Sequence, residues 1–365
     1  MAILVCCANA QTTADSPQEL LKQAIALHQA GKLDEAIADY RTLLSKYPDI
    51  AQIRSNLGAA LAAQGKYAEA IVEYKRALST HPDNQVELNL ALAYYKEGQY
   101  PEAIQELEKV RQGAPGNRQA MLLLADCYLR VGKNKMVIAL LTPARQADPD
   151  NRAITYLLGT ALVRDGQTAQ GQVVIDQILK NGDSAEARLL MGTTKLFVND
   201  FVGALADLKK AIELNPNLPD VYAYYGLALL SSGDQEGARK AFTKELEQDP
   251  NNFAANLRMG VVLRQDDDNA AALKYFQHAL QVRPGDLGVR YQIASVELAE
   301  GQVEEARKEL ESVLKEAPNF VEAHVSLATV YYREKRKLDG DKERTIVAKL
   351  NAAQQANQPA VKAAQ

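Results

Sequence analysis

The chain has 365 residues, with 42 lysines and arginines against 46 aspartates and glutamates and a net charge of −4. That balance excludes a general nucleic-acid binder, which shows a strong basic excess, and no apolar run approaches the ~18 residues needed to span a bilayer. Apolar types make up 47% of the chain, tryptophan is absent, and alanine, leucine, glutamate, lysine and glutamine dominate, which is helix-forming chemistry.

The first residues, MAILVCCANAQ, give a short apolar stretch ending Ala8-Asn9-Ala10, the pattern a signal peptidase cuts, here before Gln11. Residues 1–10 are therefore expected to be a truncated signal peptide and 11–16 a short lead. No lysine or arginine precedes the apolar part, so a late-placed start codon and an ordinary frayed terminus both remain as readings. Cleavage would leave Cys127 as the sole thiol and no intramolecular disulfide. The expected location is periplasmic or secreted, with the cytoplasm as the alternative.

From residue 17 the chain repeats itself. Prolines fall at Pro48, Pro82, Pro115, Pro149, Pro216, Pro250, Pro284 and Pro318, a beat of 33 or 34 residues with one proline missing. A small residue keeps the same period at Ala24, Gly58, Ala91, Ala125, Gly159, Gly192, Gly226, Gly260, Ala294 and Ala328. A second series lies about twelve residues behind, at Ala36, Ala70, Ala103, Val137, Gly171, Ala204, Ala238, Ala272 and Ala306. Four residues after each stands a larger one: Tyr40, Tyr74, Leu107, Leu141, Ile175, Leu208, Phe242, Phe276 or Leu310.

Each period carries two apolar stripes at helical spacing with a turn between them. In the second, Leu57, Gly58 and Leu61 form one stripe and Ala70, Tyr74 and Ala77 the other. Gly65 lies between, where the first helix must end with positive φ. The proline then stops the second helix, and an Asp or Asn after it is placed to cap the next one. The small residues are expected to let the two helices approach closely, the first helix's glycine or alanine meeting the second helix's alanine.

These markers resemble the tetratricopeptide repeat family. The resemblance implies an all-α, right-handed superhelical solenoid of helix-turn-helix units. Nine units follow, at 17–50, 51–83, 84–117, 118–151, 152–184, 185–218, 219–252, 253–286 and 287–320. A partial tenth and a C-terminal capping helix occupy 321–353, and 354–365 reads as a disordered tail. The family's tryptophan near the start of each unit is replaced, by Leu20, Arg54, Met121 or Tyr222 among others. The fifth unit carries Gly171 and Gly182 and lacks its proline, so it is the expected weak joint of the stack. The eighth replaces its turn glycine with Asp266-Asp267-Asp268, which lacks the alternation and distal glutamate of a calcium loop and reads as a solvated turn. Lys335, Arg336 and Lys337 read as a solvated cap surface.

Chemistry is not visible. The four histidines fall in different repeats with no i, i+4 pair, and there is no phosphate loop, G-x-S-x-G elbow or C-x-x-C. Cys127 reads as a small buried thiol. The repeats use nearly all of the chain, so neither an enzyme nor a small-molecule substrate is expected, and neither a cofactor nor a metal. In the resembled family the first helices line a concave wall that binds peptides or partner helices. Asn56, Asn89, Leu92, Tyr95, Leu122, Tyr156 and Leu189 are the candidate partner-binding residues on it. The two asparagines suit the peptide backbone, each offering donors and an acceptor. Packing against neighbouring first helices and exposure in a groove both fit the apolar members. The expected function is an exported scaffold that binds a protein or peptide along its concave face. The alternative is an architectural subunit of an envelope or secretion assembly, joined through its convex face or ends.

Overall fold

The computed structural model describes residues 17–180 and 182–356; the expected signal peptide, the lead and residues 357–365 of the tail lie outside them. The described residues form twenty helices and no strand. The first six are α1 Pro17–Gln29, α2 Leu33–Lys46, α3 Ala51–Ala63, α4 Tyr67–Thr80, α5 Asn84–Lys96 and α6 Tyr100–Gly113. Then come α7 Arg118–Arg130, α8 Asn134–Ala147, α9 Arg152–Arg164, α10 Thr168–Leu179, α11 Ala185–Phe197, α12 Phe201–Leu214 and α13 Val221–Ser231. The last are α14 Gln235–Gln248, α15 Phe253–Gln265, α16 Asn269–Val282, α17 Leu287–Ala299, α18 Val303–Glu316, α19 Val321–Arg333 and α20 Lys337–Ala356. Helix α20 carries helical structure through Ala356, past the expected start of the tail. The chain divides into two compact units, 1–128 and 129–365. The division falls in the fourth repeat, one earlier than the expected joint. Gly171 does not break the fifth repeat: it is buried, and a Cβ there would lie 2.9 Å from Val163 Cγ2.

Within each unit consecutive helices pack as hairpins, and odd-numbered helices also touch the next odd one from α1 through α5 and from α9 through α19. The periodic residues are the core. Ala36, Ala70, Ala204, Ala238 and Ala272 are fully buried, as are Tyr40, Leu107, Leu208, Phe242 and Phe276. In three hairpins the first helix's glycine meets the aromatic ring of the second helix rather than its alanine, while Gly192 lies against both Leu208 and the Ala204 carbonyl. A Cβ on Gly58 would stand 2.8 Å from Tyr74 Cε1, one on Gly226 2.6 Å from Phe242 Cε1, and one on Gly260 2.5 Å from Phe276 Cε1. In the last hairpin the roles reverse, with Gly340 of α20 under the ring of Tyr332 of α19.

The turn inside each hairpin requires one left-handed residue, usually glycine, such as Gly65 at φ 77°. Asn199, Asp267 and Lys335 hold that conformation in the sixth, eighth and last hairpins. The acidic run of the eighth is thus accounted for: Asp267 makes the turn, Asp268 caps α16 by accepting from Ala271 N at 3.1 Å, and Asp266 pairs with Arg239.

Four of the residues standing in for the family's tryptophan form polar ties. Arg54 donates to Glu73 at 2.8 Å, Arg188 to Asp207 at 2.8 Å and Arg290 to Glu309 at 2.5 Å, while His324 Nδ1 meets Glu343 at 2.5 Å. Every partner lies nineteen residues on, in the second helix of the same hairpin. Arg54, Asn256 and His324 also bond the carbonyl of the preceding proline, at 2.8, 2.8 and 2.9 Å. In these five repeats a planar or forked donor thus fixes the start of the first helix where the family uses a ring.

Candidate partner-binding face

The first unit holds five of the expected site residues, Asn56, Asn89, Leu92, Tyr95 and Leu122. Asn56 and Asn89 stand at equivalent turns of α3 and α5, both half-buried. Each accepts at Oδ1 from a glutamine four residues earlier, Gln52 and Gln85, at 3.2 Å in both cases. The glutamines orient the amides and leave each Nδ2 without a protein acceptor among the described residues. Leu92 follows Asn89 by one turn and is 37% exposed, a large apolar side chain facing solvent. Tyr95 is half-buried, donates its hydroxyl to Asp126 at 2.6 Å, and packs edge-on to Tyr100 at 5.5 Å between ring centres. Leu122 is half-buried on α7. The arrangement offers two amide donors in register beside an apolar contact, which is what an extended backbone with an apolar side chain needs.

Tyr156 and Leu189 belong to the second unit. Leu189 is a correction: at 3% exposure it is core, covered because α9, α11 and α13 touch one another on this side. The same holds for Val163 and Leu196. Tyr156 is half-buried, and burial pushes its hydroxyl well above the ordinary range.

A polar network around Tyr156 escaped the sequence reading. Arg164, at the end of α9, donates to the Tyr224 hydroxyl at 2.9 Å and to Asp220 at 2.8 Å, passing over the sixth repeat to reach the seventh. Burial presses the Asp220 carboxyl upward, but Arg164 and Arg130 hold it below its usual value. Beside it Glu245 is 1% exposed and caps the start of α13 from outside. Its oxygens accept from Asp220 N at 2.9 Å, Tyr222 N at 3.1 Å, Ala223 N at 3.2 Å and Asn252 Nδ2 at 2.9 Å. Those donors favour the charged form, yet burial first and the Asp220 charge second push Glu245 up to about 7. Two adjacent carboxyls are thus driven apart: Arg164 and Arg130 lower Asp220, while burial and the Asp220 charge raise Glu245.

Longer ties cross the same side of the second unit. Arg130 pairs with Asp249, and Arg283 donates to the Arg130 carbonyl at 2.7 Å while lying 3.8 Å over the ring of Phe253. Repeats four, seven and eight are therefore joined directly, beyond nearest neighbours. No spacing rule foretells such pairs; the only trace in the sequence is that Arg130 and Arg164 close successive first helices. Among the described residues no cluster of histidine, cysteine or carboxylate side chains could hold a metal, and no helix is long and apolar enough to cross a membrane.

Models of the tetratricopeptide repeat match residues 21–85, 208–240, 226–286 and 263–330, together about half of the chain. The chain belongs to the tetratricopeptide repeat family. A model of subunit 3 of the anaphase-promoting complex, cyclosome, matches 63–144. Among solved structures, the APC/C hetero-tetramer Cut9-Hcn1 is similar at 16% identity and a TM-score of 0.60, over 93% of this chain and 76% of that one. That likeness shows the fold. The human IFIT1 dimer with m7Gppp-AAAA aligns at 18% identity and a TM-score of 0.49, over 93% of this chain and 91% of that one. A MamA RS-1 double mutant aligns at 24% identity and 0.42, over 48% and 99%. A comparison with curated proteins gives no significant sequence match. The repeats and the fold support an interaction scaffold, in a family that is generally non-enzymatic.

Proposed function

We propose that this tetratricopeptide repeat protein is a scaffold whose first unit holds an extended segment of a protein partner against α3, α5 and α7. The observation that carries the reading is the amide pair: Asn56 and Asn89, oriented alike by Gln52 and Gln85, with exposed Leu92 one turn away. Peptide carbonyls would take the two Nδ2 donors, and an apolar side chain would cover Leu92. Tyr95 and Leu122 support the contact, whereas Leu189 has no part in it. The test is capture of partners from the native extract by the full chain, compared with an Asn56→Ala, Asn89→Ala, Leu92→Ala variant. Helicity is expected to persist and the partner to be lost. A folded variant that retains every partner refutes the reading.

A second reading, that of an architectural subunit, is favoured by the turn between α11 and α12. There Phe197, Val198 and Val202 stand exposed together, Val202 at 82%, three large apolar side chains around one turn. Joining through this edge would bury them. Export is part of the proposal and rests on Ala8-Asn9-Ala10 after the apolar start. Cell fractionation of the protein made from its own gene tests it, with a mature terminus at Gln11 expected and an intact cytosolic Met1 against it.

A further inference from the structure

The second, sixth, ninth and tenth repeats fill the tryptophan position with Arg54, Arg188, Arg290 and His324, each reaching a carboxylate nineteen residues on. The fifth repeat has Thr155 there, and the residue nineteen on is the buried Val174. The threonine is too short to make the tie. It is 4% exposed, and its Oγ1 has no hydrogen-bond partner. A buried hydroxyl left in that state costs about 1–3 kcal/mol. The preceding proline carbonyl, of Pro149, is taken instead by Gln177 Nε2 at 2.8 Å. Where the second, sixth and ninth repeats place an arginine, a cleft of about 930 Å³ remains, with Thr155 in its lining. That is the size of a ligand site rather than a packing fault.

We propose that this cleft receives an arginine side chain from a partner polypeptide, with Asp150, five residues before Thr155, standing where Asp183 stands before Arg188 and accepts from it. The lining carries four carboxylates, Asp150, Asp176, Asp183 and Glu186. Asp183 is already held by Arg188 at 2.7 Å, and Arg145, one of three bases present, is engaged with Gln177. Asp176 accepts from Gln172 at 2.8 Å through Oδ1 and keeps Oδ2, and the other two bases, Arg152 and Lys180, are exposed. Asp150, Glu186 and the second Asp176 oxygen remain for a guanidinium, whose fork suits paired carboxylate oxygens better than an ammonium does. Val173 and Ile178 supply apolar wall for the methylene stem. The volume exceeds one side chain and leaves room for the backbone that bears it. This cleft is separate from the amide pair of the first unit, and the two sites fail or stand independently.

The probe is the peptide acetyl-Gly-Arg-Gly-amide, with acetyl-Gly-citrulline-Gly-amide as its uncharged isostere, titrated into the full chain and followed by the methyl NMR signals of Val173 and Ile178. The arginine peptide is expected to bind at least tenfold more tightly than the citrulline peptide. Thr155→Arg, which fills the slot from within, is expected to lower that affinity at least tenfold and to raise Tm, while Asn89 and Leu92 keep their partner. Asp176→Asn, an exposed change that leaves the core intact, is expected to weaken binding at least threefold. Equal affinity for the two peptides, or no shift with either, overturns the proposal. So does a folded Thr155→Arg chain that binds unchanged. If Thr155→Arg does not fold, unchanged binding by Asp176→Asn overturns it.

Discussion

Gly260→Ala is the sharpest probe of how the hairpins close. The added methyl would stand 2.5 Å from Phe276 Cε1, an ångström inside ordinary contact, and the ring is fully buried with nowhere to swing. Overpacking of this kind costs about 1–3 kcal/mol, offset by about 0.5–1 kcal/mol from replacing a helical glycine. A net loss of about 1–2 kcal/mol is expected. The chain itself suggests the remedy. Where the second position is Leu107, Leu141 or Leu310, the first is Ala91, Ala125 or Ala294; where it is Tyr74, Phe242 or Phe276, the first is glycine. Ala24 with Tyr40, Gly159 with Ile175 and Gly192 with Leu208 depart from this rule. Phe276→Leu alone should destabilise by opening space, whereas Gly260→Ala with Phe276→Leu should be no worse than Phe276→Leu alone. The coupling expected is about 1 kcal/mol or more, within the range for residues in contact. Urea unfolding of the full chain, with m monitored for each variant, measures it. A double variant whose loss equals the sum of the singles refutes the account.

Glu245, raised from its ordinary value to about 7, binds its proton more tightly folded than unfolded. Its contribution is full below about pH 4.5 and lost as pH rises through 7, on the order of 3 kcal/mol; urea midpoints of the second unit should fall between pH 5 and 8, less so in Glu245→Gln, and a rise over that interval contradicts the assignment. Asp267→Gly should stabilise by about 0.5–1 kcal/mol, because Asp267 holds φ 62°; an unchanged or lower Tm counts against it. Arg283→Ala should loosen α7 from α16, read as faster amide exchange at the end of α7; unchanged exchange there would show the tie to be idle.

The fold was legible because its signals are local and repeated. A helix stripe, a left-handed turn and a stopping proline recur every 33 or 34 residues, and Gly31, Gly65, Gly98, Gly132 and Gly166 all take the positive φ the turn requires. Asn199 and Lys335 show that the backbone, not the glycine, is the invariant of that turn. The polar ties at the tryptophan position were half legible: a basic residue followed by an acid nineteen on recurs in the sequence, but only the hairpin explains the spacing. The site was less legible because inward-facing and covered are different properties. Leu92 and Leu189 both sit on the expected face, yet the next odd helix covers the second and spares the first. Contacts such as Arg164 with Asp220 depend on how repeats two apart approach one another, which no local pattern encodes.

On the proposed reading, a partner lies on α3, α5 and α7 of the first unit. A photo-crosslinking residue at position 92, with a second chain carrying it at 202, tests this in the cells that make the protein. A discrete adduct to one protein from position 92, abolished by Asn56→Ala with Asn89→Ala, is the predicted result. Adducts from position 202 with none from 92 would contradict the claim and place the partner at the apolar turn between α11 and α12.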